Sequence, residues 1–184
     1  MRAQIYWISG VNLGRIGITS RPRGGDWLEE EIHSYCNSGI DVVVSLLTQR
    51  EIVELELVEE GFLCEAAGLE YLSFPIEDRK VPPLNQITVA FIQTLAEFLF
   101  DKKSIVIHCR MGIGRAALIA ACVLVMLGNP VQKAFENIAT SRGCPVPDTA
   151  DQYEWVVLLP KRYQYRWPKA EKVSITQISK GRYT

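Results

Sequence analysis

Ser104 to Ala121, SIVIHCRMGIGRAALIAA, constrains this chain more than any other stretch, because a short apolar run, a turn with two glycines and an apolar helix follow one another directly. Ser104 to Ile107 reads as a buried strand. Arg115 onward reads as a helix, since Ala116, Ala117, Leu118, Ala120 and Ala121 are mostly good helix formers. The loop between them must curl over a helix N-terminus, where orphan backbone N–H groups point inward and the dipole adds about half a positive charge. Such a loop welcomes a tetrahedral oxyanion. Gly112 and Gly114 permit a curl that a Cβ would forbid, Arg115 adds a planar and permanently charged fork, and the same field favours the thiolate of a cysteine facing it. With Cys109 and Arg115 six positions apart, a nucleophile and the grip on its electrophile share one loop.

His108, Cys109, Gly112, Gly114 and Arg115 match the pattern HCxxGxGR, and in this the segment resembles the signature of cysteine-dependent protein tyrosine and dual-specificity phosphatases. Rhodanese-like sulfurtransferases share the Cys-to-Arg spacing but lack the histidine and the glycine pair. The resemblance implies Cys109 as nucleophile, with Arg110, Met111, Gly112, Ile113, Gly114 and Arg115 wrapping the phosphate. His108 would lie beneath the loop and tune Cys109 through hydrogen bonds. No metal and no cofactor is implied. One position departs: the family usually has Ser or Thr directly after the arginine, to steady the departing thiolate, and here Ala116 stands there. A slow second chemical step, or a substitute such as a water, is the expectation.

The 184 residues allow one domain with a substantial core and are too few for two of typical size. Hydrophobic content of 48%, charged content of 22% and a net charge of −1 describe a soluble globular chain with no overall basic field for nucleic acid. Five cysteines, odd in number and without a CxxC, suggest neither a disulfide framework nor a zinc site. A reduced, cytoplasmic setting is expected, with no secretory leader and no membrane insertion.

Along the chain, Gln4 to Ser9 and Gly14 to Thr19 read as an edge hairpin, followed by a loop at 20–25. Asp26 is the expected cap of a helix over Trp27 to Asn37, and its His33 is assigned no role. Asp41 to Leu47 reads as a central parallel strand, and Thr48 can cap a helix over Gln49 to Leu57. A helix over Glu60 to Ala67 and a strand over Glu70 to Phe74 come next. Apolar residues at 84, 87, 91, 95, 98 and 99 mark a helix from Leu84 to Asp101. After the signature, helices are expected to about Leu127, over Val131 to Ser141, and from Asp148 or Thr149 to Pro160. Cys122 reads as a small core residue, and Arg142, just before Gly143, either helps to shape the pocket or caps the preceding helix, the cap being favoured. The fold class is therefore α/β in three layers, a mostly parallel four- or five-stranded sheet with helices on both faces. The division expected is a domain over 1–160 and a tail over 161–184 with seven basic residues and one acid, which docks, binds acidic surfaces or stays solvated.

Phe74 to Pro83 leaves a strand with three prolines in nine residues, so it forms an ordered, non-helical loop at the sheet edge where ligands bind. Phosphoester cleavage needs an acid there, and Asp78 or its neighbour Glu77 can supply it. The segment resembles the PIxDRxVP acid loop of dual-specificity phosphatases similar to the small bacterial and kinase-associated types, which implies Asp78. The same family implies that Gln152, near the start of the last helix, orients the hydrolytic water; plain helix surface is the competing reading.

Taken together, the resemblance implies a monomeric phosphatase acting on phosphorylated protein or peptide, on phosphotyrosine and on phosphoserine or phosphothreonine. Alternatives are a phosphoinositide or inositol-phosphate phosphatase and a non-enzymatic phosphate-binding module. A reversible disulfide from Cys64 or Cys36 to Cys109 would act as a redox brake.

Overall fold

Continuous β-branched runs need cover on both faces, and the strands supply the middle layer that this demands. The structure, a computed structural model, describes residues 4–11 and 14–162. Five strands, β1 (Tyr6–Trp7), β2 (Arg15–Ser20), β3 (Val42–Ser45), β4 (Glu70–Ser73) and β5 (Ser104–Cys109), form one sheet in the order β1-β2-β5-β3-β4. Only β1 runs antiparallel. Every residue of β3 and of β5 is buried.

Seven helices are described: α1 (Leu28–Asn37), α2 (Gln49–Glu54), α3 (Glu60–Ala66), α4 (Gln86–Phe100), α5 (Arg115–Met126), α6 (Val131–Arg142) and α7 (Ala150–Arg162). One core cluster joins Ile18, Val44 and Ile107 to α4, α5, α6 and α7; the other joins Val43 and Val106 to α1 and α3. Alternation along the strands explains the split, since neighbouring side chains enter opposite faces. α5 is buried from Arg115 to Leu124, and its small residues Ala116, Ala117, Ala120 and Ala121 let the sheet and three helices close around it. No helix of the described residues is long and apolar enough to cross a membrane.

The parallel register pairs Ser20 with Cys109 and Ser45 with both His108 and Ser73. The strand ends therefore line up, and the loops after β2, β3, β4 and β5 emerge along one edge.

Several expectations change in detail. Of the two strands of the expected edge hairpin only β1 lies at an edge, because β2, with Ile16 and Ile18 fully buried, inserts between β1 and β5. Asp26 caps no helix: it lies inside a short 3-10 turn, Gly25–Trp27, and α1 starts after it without a side-chain cap. Glu56, in a left-handed conformation at φ 56°, follows α2 and keeps it from reaching Leu57. Asn85, whose side chain accepts from Thr88 N, caps α4 one residue beyond the expected start. α7 runs on to Arg162, past Pro160. Residues 163–184, most of the expected tail, lie outside the described residues.

Candidate active site

The loop from Cys109 to Arg115 is pinned from three sides. Gly112 has φ +66°, and a Cβ there would meet Thr19 O at 2.4 Å, so the loop lies flat against the end of β2. Its N–H reaches the Cys109 Sγ at 3.3 Å, the first of the inward-pointing amides. At Gly114 a Cβ would come within 3.0 Å of both Asp148 and the Gln152 side chain. From the last turn of α6, Arg142 donates to Met111 O at 3.2 Å and Gly112 O at 3.3 Å, with its guanidinium stacked 4.2 Å over the Tyr6 ring. Arg142 is thus a strut of the loop rather than the helix cap expected from its position. Holding those carbonyls turns the opposite, donor edge of the peptides toward the sulfur.

A methyl at Gly112 has nowhere to go, since the obstacle is backbone and the conformation is left-handed. Gly112→Ala is expected to fold but to displace the loop, weakening orthovanadate binding about tenfold or more, on the scale of 1–3 kcal/mol of strain. Isothermal titration checks this, and unchanged affinity would show that the close approach is dispensable.

Arg115 is the largest fully buried side chain of the described residues. Its Nη1 and Nη2 donate to Glu51 Oε2 and Oε1, both at 2.8 Å, as a bidentate fork. Nη1 also donates to Ile76 O at 2.9 Å, and Nη2 sits 2.9 Å from Asp78 Oδ1. Its Nε–H makes no hydrogen bond among the described residues. Glu51 in turn closes a capping box: Oε2 accepts from Thr48 N at 3.0 Å and from Thr48 Oγ1 at 3.1 Å. Burial alone would raise the Glu51 carboxyl, but Arg115 and Thr48 overcome it and take the group down to about 2. The guanidinium is therefore clamped along one edge and offered along the other.

The acid loop reaches the same spot. Ile76 is buried with its N–H on Leu46 O, and Arg79 takes the left-handed conformation at φ 60°, a turn that swings Asp78 inward. Asp78, 58% exposed at its side chain, contacts Arg115; Glu77 is exposed and has no contact with it. Gln152 ties the two loops together, with Nε2 donating to Lys80 O at 3.2 Å beside Gly114. It is fully buried, and its Oε1 has no hydrogen-bond partner, so the plain-surface reading of Gln152 is overturned. Thr149 Oγ1 accepts from Gln152 N and fixes the start of α7.

Of the remaining loop residues, Arg110 pairs with Glu54 on α2, Met111 is 60% exposed at the mouth, and Ala116 is buried below it. His108 does not share a face with Cys109. It points to the α1–α3 side, with Nε2 3.0 Å from Glu60 Oε1, both fully buried, while Tyr71 donates to Glu60 Oε2 at 3.2 Å. Any influence of His108 on Cys109 passes through the strand that carries both. Cys64 and Cys36 pack in the α1–α3 cluster and Cys109 in the other. Burial, with Glu60 next, pushes the Cys64 thiol well up, the reverse of what a redox partner needs.

Two residues that hold the site escaped the sequence reading, Glu51 and Glu60, whereas for Arg142 the less favoured of two readings, support of the pocket, is the one observed. Thr48-Gln49-Arg50-Glu51 carries a capping-box pattern, which predicts the cap though not the arginine beyond it. Nothing local marks Glu60.

A mostly parallel sheet with a Cys-to-Arg loop opening its central helix defines the class. The family model described as "Polymorphic toxin system, DSP-PTPase phosphatase" matches residues 17–129, well over half of the chain, and the chain belongs to this DSP-PTPase phosphatase family. Among curated relatives, Cyclin-dependent kinase inhibitor 3 of Rattus norvegicus is 26% identical over 131 residues, covering 70% of this chain and 61% of that protein. Putative tyrosine phosphatase 197R of Invertebrate iridescent virus 6 is 27% identical over 125 residues, covering 66% of this chain and 45% of the viral protein. The chain thus spans about three fifths of the first relative and under half of the second. A crystal structure of kinase associated phosphatase with its catalytic-site cysteine substituted by serine superposes with a TM-score of 0.79, covering 91% of this chain and 99% of that one, at 20% identity. At that identity the likeness establishes the shared fold.

Proposed function

We propose that this protein hydrolyses phosphomonoesters on phosphorylated proteins or peptides, phosphotyrosine and phosphoserine or phosphothreonine alike, through a cysteinyl-phosphate formed on Cys109. The observation that carries the reading is the meeting of three groups at one loop: the Cys109 sulfur under the Gly112 N–H, the clamped Arg115 guanidinium, and the Asp78 carboxyl 2.9 Å from it.

The chemistry follows from those positions. Incoming phosphate takes the loop amides and the open edge of Arg115; Nη2 exchanges Asp78 for a phosphate oxygen, and Nε–H takes a second. Cys109 thiolate attacks phosphorus, the P–O ester bond breaks, and Asp78, arriving protonated, gives its proton to the leaving oxygen. A water held by the Gln152 side chain then attacks the phosphocysteine, Asp78 takes its proton, and the S–P bond breaks to free phosphate and thiolate. Met111 exposed at the rim and the absence of long insertions around the loop support a shallow site open to short phosphorylated side chains.

Arg110 is the one basic residue between Cys109 and Arg115, and Glu54 already holds it, which weighs toward peptide over highly charged phosphoinositide substrates. Turnover of a matched set of phosphopeptides against a phosphoinositide panel tests this; preference for the lipids would overturn it. Ala116 leaves the departing thiolate without a hydroxyl donor, so release of phosphate is expected to limit turnover. Stopped-flow mixing with an aryl phosphate should show a burst of aryl alcohol, and Ala116→Ser should shrink the burst while raising the steady rate. A burst unchanged by the substitution would place the slow step elsewhere.

A further inference from the structure

On the far flank of α2 from the catalytic loop lies an open cleft of about 700 Å³, walled by the Gly25–Trp27 turn and the start of α1 on one side and the α2–α3 turn on the other. Gly25 N donates to Glu56 O at 3.0 Å and holds the two walls together, so the cleft is formed before anything binds. Three apolar side chains line it in plain exposure: Val53 at 59%, Val58 at 60% and Phe62 at 67%. Large apolar groups gathered at one depression, rather than scattered singly over the surface, mark a contact surface.

Charge decides what contacts it. Asp26, Glu29, Glu56 and Glu59 line the same cleft, and no lysine or arginine does. Asp26, Glu56 and Glu59 form no ion pair among the described residues, and Glu29 meets only the exposed His33, at 3.9 Å. Four carboxylates around an apolar floor repel nucleic acid and anionic lipid, and they gain most from cations brought in beside apolar side chains.

We propose that this cleft is a docking site for a basic amphipathic segment of a partner protein, its apolar side chains on Val53, Val58 and Phe62 and its Lys or Arg side chains on the acidic rim. α2 links the two sites: Val53 faces the cleft, while Glu51 and Glu54 of the same helix hold Arg115 and Arg110. A bound segment lies about one helix diameter, roughly 10 Å, from the catalytic loop. The cleft thus selects phosphoproteins that carry a basic segment near the phosphorylated residue; this last step rests on the phosphatase reading, whereas docking itself does not.

The test uses the full chain and a fluorescein-labelled synthetic peptide in which Lys and Arg flank a Leu/Trp face, with the same peptide carrying Glu for every Lys and Arg as control. Anisotropy should report salt-sensitive binding of the basic peptide, weakened at least tenfold by Phe62→Ser and by Glu56→Lys with Glu59→Lys, with aryl phosphate turnover unchanged. Amide shifts in NMR spectra should cluster at residues 25–29 and 53–63. Shifts elsewhere, equal binding of the acidic control, or affinity indifferent to the substitutions overturns the proposal. So does a cleft already filled by a second copy, seen as concentration-dependent shifts, or by the chain's own basic 163–184 segment, seen as shifts at the cleft on Lys172→Glu with Lys180→Glu.

Discussion

Cys109→Ser is expected to reduce turnover of a small aryl phosphate by about 10⁴-fold or more, measured in chelator, with the fold intact. Serine is nearly isosteric in the small space beneath the Gly112 N–H, so packing survives. Its hydroxyl does not ionise near neutrality, however, and a neutral hydroxyl is a far weaker nucleophile than a thiolate. Phosphate analogues should bind the variant as well as before, because the amides and Arg115 are untouched. Circular dichroism and titration with inorganic phosphate separate loss of chemistry from loss of structure. Turnover retained by the variant would remove the sulfur from the mechanism.

Glu51→Gln should come second in size, although the residue never touches substrate. Its two oxygens fix both terminal nitrogens of Arg115, at 2.8 Å each, whereas Ile76 O and Asp78 each meet only one of them. A neutral amide keeps at most one of those bonds and leaves a buried guanidinium under-compensated. A misplaced fork costs the transition state rather than the fold alone: kcat is expected to fall about 100-fold, with stability at pH 7 lowered by roughly 3 kcal/mol.

The pH dependence adds a separate signature. The Glu51 carboxyl stands at about 2 in the folded chain against an ordinary 4.5, so its contribution is present in full above pH 4.5 and is lost as pH falls toward 2. Stability of the native chain should therefore decline across that window, and Glu51→Gln should flatten this part of the decline. Urea unfolding at pH 7, 4.5 and 3 measures it. Equal acid sensitivity in both proteins, together with an unchanged kcat, would reduce the Arg115–Glu51 pair to packing.

These two residues also mark where the sequence was readable and where it was not. Cys109, Arg115 and the glycines between them are contiguous, so their spacing alone carries the strand, the loop and the helix mouth. Asp78 was legible for a similar reason: a proline-rich exit from a strand belongs at the ligand edge of a parallel sheet, and the register of β3, β4 and β5 puts it there. Glu51 lies 64 residues from Arg115 and Glu60 lies 48 residues before His108, and only folding brings each pair together. Their side chains look in sequence like the ordinary acids of a first helical turn. Arg142 was legible both ways, since a basic residue in a last turn is also a good helix cap, and only the tertiary contact with Met111 and Gly112 decides for support of the pocket. Asp26 lost its cap to a 3-10 turn and became part of the acidic cleft.

The central claim is a covalent bond between Cys109 and phosphorus. Rapid mixing of the protein with an aryl phosphate, a denaturing quench within the burst, and peptide mass spectrometry test it directly. One added phosphoryl group on the peptide carrying Cys109, absent from Cys109→Ser, is the predicted result. Steady turnover with Cys109 unmodified throughout, or with the phosphoryl group on another residue, would contradict it.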